Sequence, residues 1–331
     1  MRLPPLVRLL LWPVSVLYGV ITRWRAALYA AGVFKQKRLD RPVISVGNLT
    51  VGGTGKTPMV IWLAERFLAQ GKRVGILTRG YKGNAGSSDE VELMKCRLQG
   101  AVFGVGANRY EQGKKLEPSV DLFLLDDGFQ HLPLARDVNI LLIDASQPLA
   151  KQSLLPTGRL REAISAMTRA DLLVFTRAET VPGTGAAVEK FQEYPVFSAT
   201  TNLLGFRRFG ESVELLSREQ IGCGPFYAFC GIGNSLAFFQ DLKNWRVALA
   251  AKCEFPDHHR YDARDVGELE AAARSAGANA LVTTEKDAQN LAGCTFAHLP
   301  LYIAIIDLVI SKEGAFLDFI REKLEARTFA A

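Results

Sequence analysis

The sequence predicts an α/β fold: a doubly wound, mostly parallel sheet in the first half, a second and smaller α/β lobe after it, and an apolar helix at the N terminus. Three observations predict it. Short uncharged apolar runs alternate with helical patterns from residue 42 onward, a glycine-rich loop joins the first run to the first helix, and an uncharged stretch flanked by arginines precedes both. Continuous apolar strands separated by helices imply a parallel sheet covered on both faces, since a sheet with one wet face would alternate apolar and polar residues.

The N-terminal stretch comes first. Leu9 to Thr22 has no charge, contains Pro13, and lies between Arg8 and the run Arg23, Trp24, Arg25. As a helix it rises about 21 Å against a hydrocarbon core of roughly 30 Å, too short to span comfortably. It is open to three readings. A secretory signal lacks a small-residue cleavage site here, and a helix packed on the domain is the bland alternative. The third is a segment lying in a membrane interface, with Trp12, Tyr18, Trp24 and Tyr29 at headgroup level and arginines reaching lipid phosphates. Residues 1–40 are expected to be that hydrophobic-basic interface helix.

Charge supports this division. Of 40 basic and 34 acidic residues, eight basic residues and only Asp40 of the acids fall in the first 41 positions, leaving a nearly neutral body. The net charge of +6 is therefore no nucleic-acid footprint, and no basic stripe interleaved with aromatics recurs. The five cysteines are odd in number and form no C-x-x-C pair, which excludes a disulfide framework and a zinc ribbon. At 331 residues and 48% apolar, the chain is long enough for about two domains.

In the body the expected strands are Val43 to Val46, Val74 to Leu77, Leu122 to Leu125, Ile140 to Ile143 and Leu172 to Phe175. A helix from Lys56 to Gln70 carries Val60, Leu63, Ala64 and Phe67 on one face and stops at Gly71. Val181 to Ala187 and the polar region from Arg207 to Gln220 read as a connection. Beyond it come Phe226 to Cys230, helical stretches from Ser235 to Leu242 and Asp265 to Ser275, then Ala280 to Thr283 and Leu301 to Ile306. The expected domains are 41–190, a nucleotide-binding core lobe, and 191–331, a smaller lobe with a return to the core.

The first strand runs through Gly47 and Asn48 into Leu49-Thr50-Val51-Gly52-Gly53-Thr54-Gly55-Lys56-Thr57, and a helix follows. Glycines let backbone N–H groups curl around an anion, a Lys reaches the β and γ phosphates, and a hydroxyl suits Mg²⁺. This is a P-loop in its proper context, departing from the usual pattern only in having Thr50 where the first glycine stands. ATP and Mg²⁺ follow as cofactors. The strand Leu122 to Leu125 ends in Asp126 and Asp127, carboxylates of the kind that hold magnesium in such enzymes. Gly128, Phe129, Gln130 and His131 continue at the same carboxyl edge, where ligands of open α/β sheets bind.

Three further polar clusters sit where loops are expected: Ser88-Asp89-Glu90, Leu160-Arg161-Glu162 and Asp257-His258-His259-Arg260-Tyr261. A carboxylate hydrogen-bonded to an imidazole can act as a base; a solvated surface loop is the plainer reading of the two histidines. Thr283-Thr284-Glu285-Lys286-Asp287 fits a capped helix start or a substrate contact.

Together these motifs resemble one family, the tetraacyldisaccharide 4′-kinases that phosphorylate the lipid A precursor of Gram-negative bacteria. The resemblance covers nearly the whole chain. It rests on Ser45-Val46-Gly47-Asn48 leading into the P-loop, Thr78-Arg79-Gly80-Tyr81, Asp126-Asp127-Gly128-Phe129-Gln130-His131, Pro156-Thr157-Gly158-Arg159-Leu160-Arg161-Glu162, Phe255-Pro256-Asp257-His258-His259 and Thr283-Thr284-Glu285-Lys286-Asp287-Ala288. It implies transfer of the γ-phosphoryl of ATP to the 4′-hydroxyl of a tetraacylated disaccharide 1-phosphate, at the cytoplasmic face of the inner membrane, with no protein partner. By motif it implies Asp89 as base with His258 as its partner, Lys56 on the phosphates, and Thr57, Asp126 and Asp127 near Mg²⁺. Asn48, Arg79, Gln130, His131, Arg161 and Glu162 are the implied substrate contacts. One departure stands out: the family reads Gly-Asp-Glu-Pro where this chain has Ser88-Asp89-Glu90-Val91. A rival from another class, a membrane-associated regulatory ATPase of the partitioning or septum-positioning type, normally carries a second Lys before the glycines, where Val51 stands here.

Overall fold

The computed structural model describes residues 4–80, 88–178, 191, 193–211, 214–222 and 224–330, the side chains of 328–330 excepted. Tyr81, the expected connection Val181 to Ala187, and Cys223 lie outside the described residues. The chain forms two compact units. Unit 1 comprises Met1–Tyr81, Leu98–Thr200 and Val309–Ala331, and unit 2 comprises Lys82–Arg97 and Thr201–Leu308. The C-terminal residues Val309–Ala331 thus fall in unit 1, and residues 82–97 fall in unit 2, an inclusion that has no signal in the sequence.

In chain order the elements begin with α1 (Pro5–Ala30), β1 (Val43–Asn48), α2 (Lys56–Ala69), β2 (Val74–Thr78), α3 (Asp89–Arg97), β3 (Val102–Val105), α4 (Arg109–Leu116), β4 (Leu122–Asp126), β5 (Val138–Asp144) and β6 (Leu172–Thr176). They continue with β7 (Val196–Arg208), β8 (Phe226–Cys230), α5 (Ser235–Asn244), β9 (Leu249–Glu254), α6 (Ala263–Ser275), β10 (Ala280–Thr284), α7 (Glu285–Asn290), β11 (Leu301–Ile310) and α8 (Glu313–Ala330).

In unit 1 the strand order is β3-β2-β4-β1-β5-β6 followed by the first residues of β7, every neighbouring pair parallel. Strands β1, β2, β4, β5 and β6 are buried along their whole length, as their predominantly apolar runs require. Helix α2 buries Met59, Val60, Ile61, Trp62, Leu63, Ala64 and Phe67, and the chain turns out of it at Gly71, whose φ is +76°. Trp62 meets Phe316 of α8 edge to face at 5.7 Å, and Phe316 meets Phe197 at 5.1 Å. The short β3 and α4 were not expected, because their four and eight residues carry too few apolar side chains to make a pattern.

Unit 2 has the order β11-β10-β8-β9, again parallel. Phe226, Ala228, Cys230, Phe238, Phe239 and Leu242 form one of its cores, and Tyr227, Phe229, Tyr261, Val266 and Leu269 belong to another. Its helices start on side-chain caps: Asn234 accepts from the Ala237 N–H at 3.3 Å, and Asp262 with Asp265 makes a capping box on α6. The polar stretch 207–220, expected as a connection, begins as strand and is then tied back by one isolated bridge. β7 continues to Arg208, and Leu216 bridges back to Phe206.

Helix α1 departs from the expected short segment. It runs for 26 residues, through Pro13 and past Arg23 and Arg25, and by length and composition alone it is long and apolar enough to cross a membrane. Pro5 begins it without loss, since the first N–H groups of a helix have no partner inside it. Its inner face is small and polar. Ser15 Oγ donates to Thr157 Oγ1 at 2.8 Å, Tyr18 Oη to the Arg161 carbonyl at 2.8 Å, Arg8 to Ser153 at 2.7 Å and Arg25 to the Gln130 carbonyl at 3.2 Å. The apolar side chains point out, with Leu10 and Trp24 77% and 66% exposed. Tyr18, expected at a headgroup, is thus turned to the protein instead.

Phe316 is fully buried between Trp62 and Phe197. Phe316→Ala is expected to cost about 3–5 kcal/mol of unit 1 stability, read as a lower urea midpoint at unchanged slope.

Candidate active site

The phosphate loop is built from the end of β1. Asn48, fully buried, donates from its amide to the Thr50 carbonyl at 2.8 Å and to Thr54 Oγ1 at 2.7 Å, while its Oδ1 accepts from Lys56 Nζ at 3.3 Å. Expected as a substrate contact, Asn48 instead spends its side chain on the loop and its lysine. Thr50 sits in extended backbone, bridged antiparallel to Leu160; Val51 N–H bonds the Arg159 carbonyl at 2.8 Å and Arg161 N–H the Leu49 carbonyl at 2.7 Å. That short ribbon explains why no glycine is needed at position 50. Positive φ is required only at Gly52 (+112°) and Gly55 (+84°), the latter directly before α2.

The β4 carboxylates stand beside this loop because β1 and β4 are parallel neighbours with Val46 opposite Asp126. Asp127, held at φ +49°, lies 3.6 Å from Lys56 Nζ and accepts from Arg161 Nη1 at 2.8 and 2.7 Å. Burial pushes its pKa up, but Lys56 and Arg161 outweigh this and hold the carboxyl below its ordinary value. Asp126 accepts from the Thr78 hydroxyl at 3.2 Å. Among the described residues no three His, Cys, Asp or Glu side chains converge into a metal cage. Magnesium in nucleotide sites needs none, since it takes one or two carboxylates and completes its shell with water and phosphate oxygens. The hard oxygens of Thr57, Asp126 and Asp127 fit that demand.

At the same edge Gln130 donates to the Asn48 carbonyl at 2.9 Å, and His131 Nδ1 lies 3.2 Å from Nη1 of Arg109. Burial, then the charges of Arg109, Arg136, Arg25 and Arg79, lower the His131 pKa to about 4, so its ring is neutral at pH 7. Arg109 is a functional candidate that sequence reading missed. It is buried, opens α4 behind the capping Asn108, and its Nε finds no hydrogen-bond partner among the described residues. Only recognition of β3 could have placed it at this edge. Glu162, implied as a substrate contact, is buried in an ion pair with Arg169.

Unit 2 carries a second constellation. Asp89 opens α3, where a loop was expected, because Ser88 caps the helix by accepting from the Val91 N–H. The Asp89 carboxylate is buried and lies 3.0 and 2.9 Å from His258 Nδ1, 3.2 Å from the amide of Asn290 and 3.8 Å from Lys286 Nζ. Burial raises its pKa, yet the His258 hydrogen bond and Lys286 overcome this and lower it. The same hydrogen bond raises the pKa of His258. His258 has left-handed backbone, φ +62°, and its N–H bonds the Gly231 carbonyl at 3.1 Å. His259 turns away, to Asp265 at 2.8 Å and onto Phe255 at 4.6 Å, so the two histidines do different work. The Thr283 to Asp287 run proves to be a capped helix start, with Thr284 accepting from the Asp287 N–H at 3.1 Å. The helix it starts, α7, supplies Lys286 and Asn290 to Asp89.

The family model for tetraacyldisaccharide-1-P 4′-kinase matches residues 7–325. Among curated relatives, the tetraacyldisaccharide 4′-kinase of Geobacter metallireducens is 41% identical over 328 residues, covering 92% of this chain and 94% of the relative. That of Geobacter sulfurreducens is 38% identical, covering 89% and 87%. The solved structure of LpxK from Aquifex aeolicus in complex with ATP is 32% identical, covers 96% of this chain and 99% of its own, and superposes with a TM-score of 0.76.

Asp89 and His258 form a full ion pair only where the carboxyl is ionised and the imidazole protonated. The contribution of His258, whose pKa is raised on folding, is complete below its ordinary value of 6.5 and lost as pH rises through the folded value. That of Asp89, whose pKa is lowered, is complete above 3.8 and lost as pH falls through the folded value. The melting-temperature gap between the native chain and His258→Gln is therefore expected to be widest between about pH 4 and 6.5 and to narrow on both sides. A gap that stays constant from acid to base contradicts the pairing.

Proposed function

The chain belongs to the tetraacyldisaccharide-1-P 4′-kinase family, and from that premise we propose how its own residues perform the reaction. It is an ATP-dependent lipid kinase, transferring the γ-phosphoryl of ATP to the 4′-hydroxyl of tetraacyldisaccharide 1-phosphate to form lipid IVA in lipid A biosynthesis. The partitioning-type ATPase is thereby set aside.

Phosphoryl transfer asks little covalent chemistry of the protein and much positioning and charge neutralisation. The loop from Thr50 to Thr57 receives the phosphates on its N–H groups and the N terminus of α2, with Lys56 oriented in advance by Asn48 and Asp127. Thr57, Asp126 and Asp127 would hold Mg²⁺, which when bound would neutralise phosphate charge. Asp89 accepts the proton of the attacking hydroxyl, and His258 holds that carboxylate in place and stabilises its charge. Arg161 keeps Asp127 ionised. Gln130, His131, Arg79 and Arg109 offer the acceptor sugar and its phosphate a polar, largely cationic edge. The observation that carries this reading is the Asn48, Lys56, Asp127 and Arg161 network at the ends of β1 and β4.

The outward apolar face of α1 supports seating the enzyme on a membrane, and its use of ATP supports the cytoplasmic face of the bacterial inner membrane as that seat. A chain lacking residues 1–34 is expected to leave the lipid fraction in vesicle flotation and to lose affinity for the lipid acceptor more than for ATP. Unchanged flotation would place the anchor elsewhere.

The deciding assay incubates the chain with γ-labelled ATP, Mg²⁺ and a panel of acceptors including the tetraacylated disaccharide. Label in a lipid-extractable disaccharide is expected, and free phosphate alone would overturn the reading. In that assay Asp89→Ala and His258→Ala should each lower kcat by on the order of 10²- to 10⁴-fold. The double variant should be little worse than the poorer single one, because groups acting as a unit are non-additive.

A further inference from the structure

The reaction above gives Arg159 no part, yet its guanidinium lies on the phosphate loop. Nε and Nη2 both donate to the Val51 carbonyl, at 3.0 and 2.8 Å. Nη1 donates to Oε1 of Gln147, whose own amide is held by Asp144 at 3.2 Å, at the end of β5. A Cβ on Gly52 would stand 2.0 Å from Arg159 Nη2, so the guanidinium fills the space left by the missing side chain.

The consequence follows from peptide geometry. The Val51 carbonyl and the Gly52 N–H belong to one rigid trans peptide unit and point in opposite directions. A two-pronged grip on that carbonyl fixes the plane and aims the Gly52 N–H to the other side. All three guanidinium nitrogens bond neutral oxygens, so the positive charge stays available to polarise the carbonyl and strengthen the N–H as a donor.

We propose that Arg159 is a positioning residue for the nucleotide, aiming and polarising the Gly52 N–H toward the anion bound by the loop. This rests on the reading of residues 50–57 as the ATP phosphate site, and Arg159 acts through the Val51–Gly52 peptide without touching the nucleotide. Lysine keeps the charge at this position but has no planar fork, so it separates geometry from charge.

The test measures MgATP binding to the full-length chain by calorimetry, beside KM and kcat. Arg159→Ala is expected to raise Kd for MgATP about tenfold, with the loss falling on KM for ATP rather than on kcat or on KM for the lipid. Arg159→Lys is expected to recover only a minor part, and Gln147→Ala, which releases Nη1 and so loosens the guanidinium on the Val51 carbonyl, to shift Kd the same way by less. Unchanged Kd in Arg159→Ala, or full recovery in Arg159→Lys, overturns the proposal. If Arg159→Ala does not fold, unchanged Kd in Gln147→Ala overturns it equally. Failure of the native chain to bind MgATP would instead overturn the reading of the loop, and the proposal with it.

Discussion

The parallel pairing of β1 with β4 is the constraint on which the active-site edge depends. Parallel neighbours end on the same side of a sheet, so with Val46 opposite Asp126 the loop leaving β1 and the carboxylates leaving β4 must emerge together. Both strands are buried on both faces, which leaves their carboxyl ends as the place where polar chemistry can stand in contact with water and ligand. The approach is close enough to dictate sequence. A Cβ on Gly47 would lie 2.5 Å from Phe129 Cβ, and one on Gly128 would lie 2.4 Å from Ser45 Oγ. Those glycines serve the packing that brings Lys56 and Asp127 within reach, a task distinct from the left-handed turns at Gly52 and Gly55.

Residues 153–161 tie this edge to α1. On one side they pair with the backbone of Leu49 and Val51; on the other they accept Ser15, Tyr18 and Arg8 of the helix. The helix inverts the usual amphipathic arrangement, in which apolar side chains face the protein and polar ones face water. Hydrogen bonds and small residues dock it, and a Cβ on Gly19 would come within 2.6 Å of Leu154 Cδ1. An element whose apolar side is left outward gains nothing from water and much from acyl chains. The glycine-rich loop and the helix with its apolar side outward thus share one supporting segment.

How much of this was legible in the sequence varied with the kind of signal. The buried strands and α2 were readable because uninterrupted apolar runs have one structural use, and the P-loop because glycine, lysine and hydroxyl stand at a spacing that chemistry requires. The short β3 and α4 left no periodic trace, and so Arg109 went unseen. Asn48 and Glu162 were legible as motif members but not in their roles. Nothing in a linear sequence shows that an amide will fold back on its own loop or that a glutamate will be buried against Arg169 seven positions on. Likewise the uncharged stretch alone does not show the length of α1, because Arg25 continues the helix by reaching the Gln130 carbonyl.

On the proposed reading Asp89 is the base, and its environment differs from those of the two other carboxylates, Asp126 and Asp127. Asp127 faces both Lys56 and Arg161, so its lone pairs are committed to cations. Asp126 takes the Thr78 hydroxyl at the end of a fully buried strand beside the phosphate loop, a setting suited to holding a metal ion. Asp89 is buried too, but its partner is an imidazole that is itself 39% exposed and raised in pKa by the bond they share. A depressed carboxyl pKa would be a handicap for a reaction needing a strong base. A loose phosphoryl-transfer transition state removes the hydroxyl proton late and rewards an oriented acceptor over a strongly basic one. Lys286 and Asn290 are then best understood as fixing that orientation, since both reach Asp89 from a helix whose start is capped by Thr284 and whose Asp287 also holds Gly231, the residue on which the His258 backbone hangs.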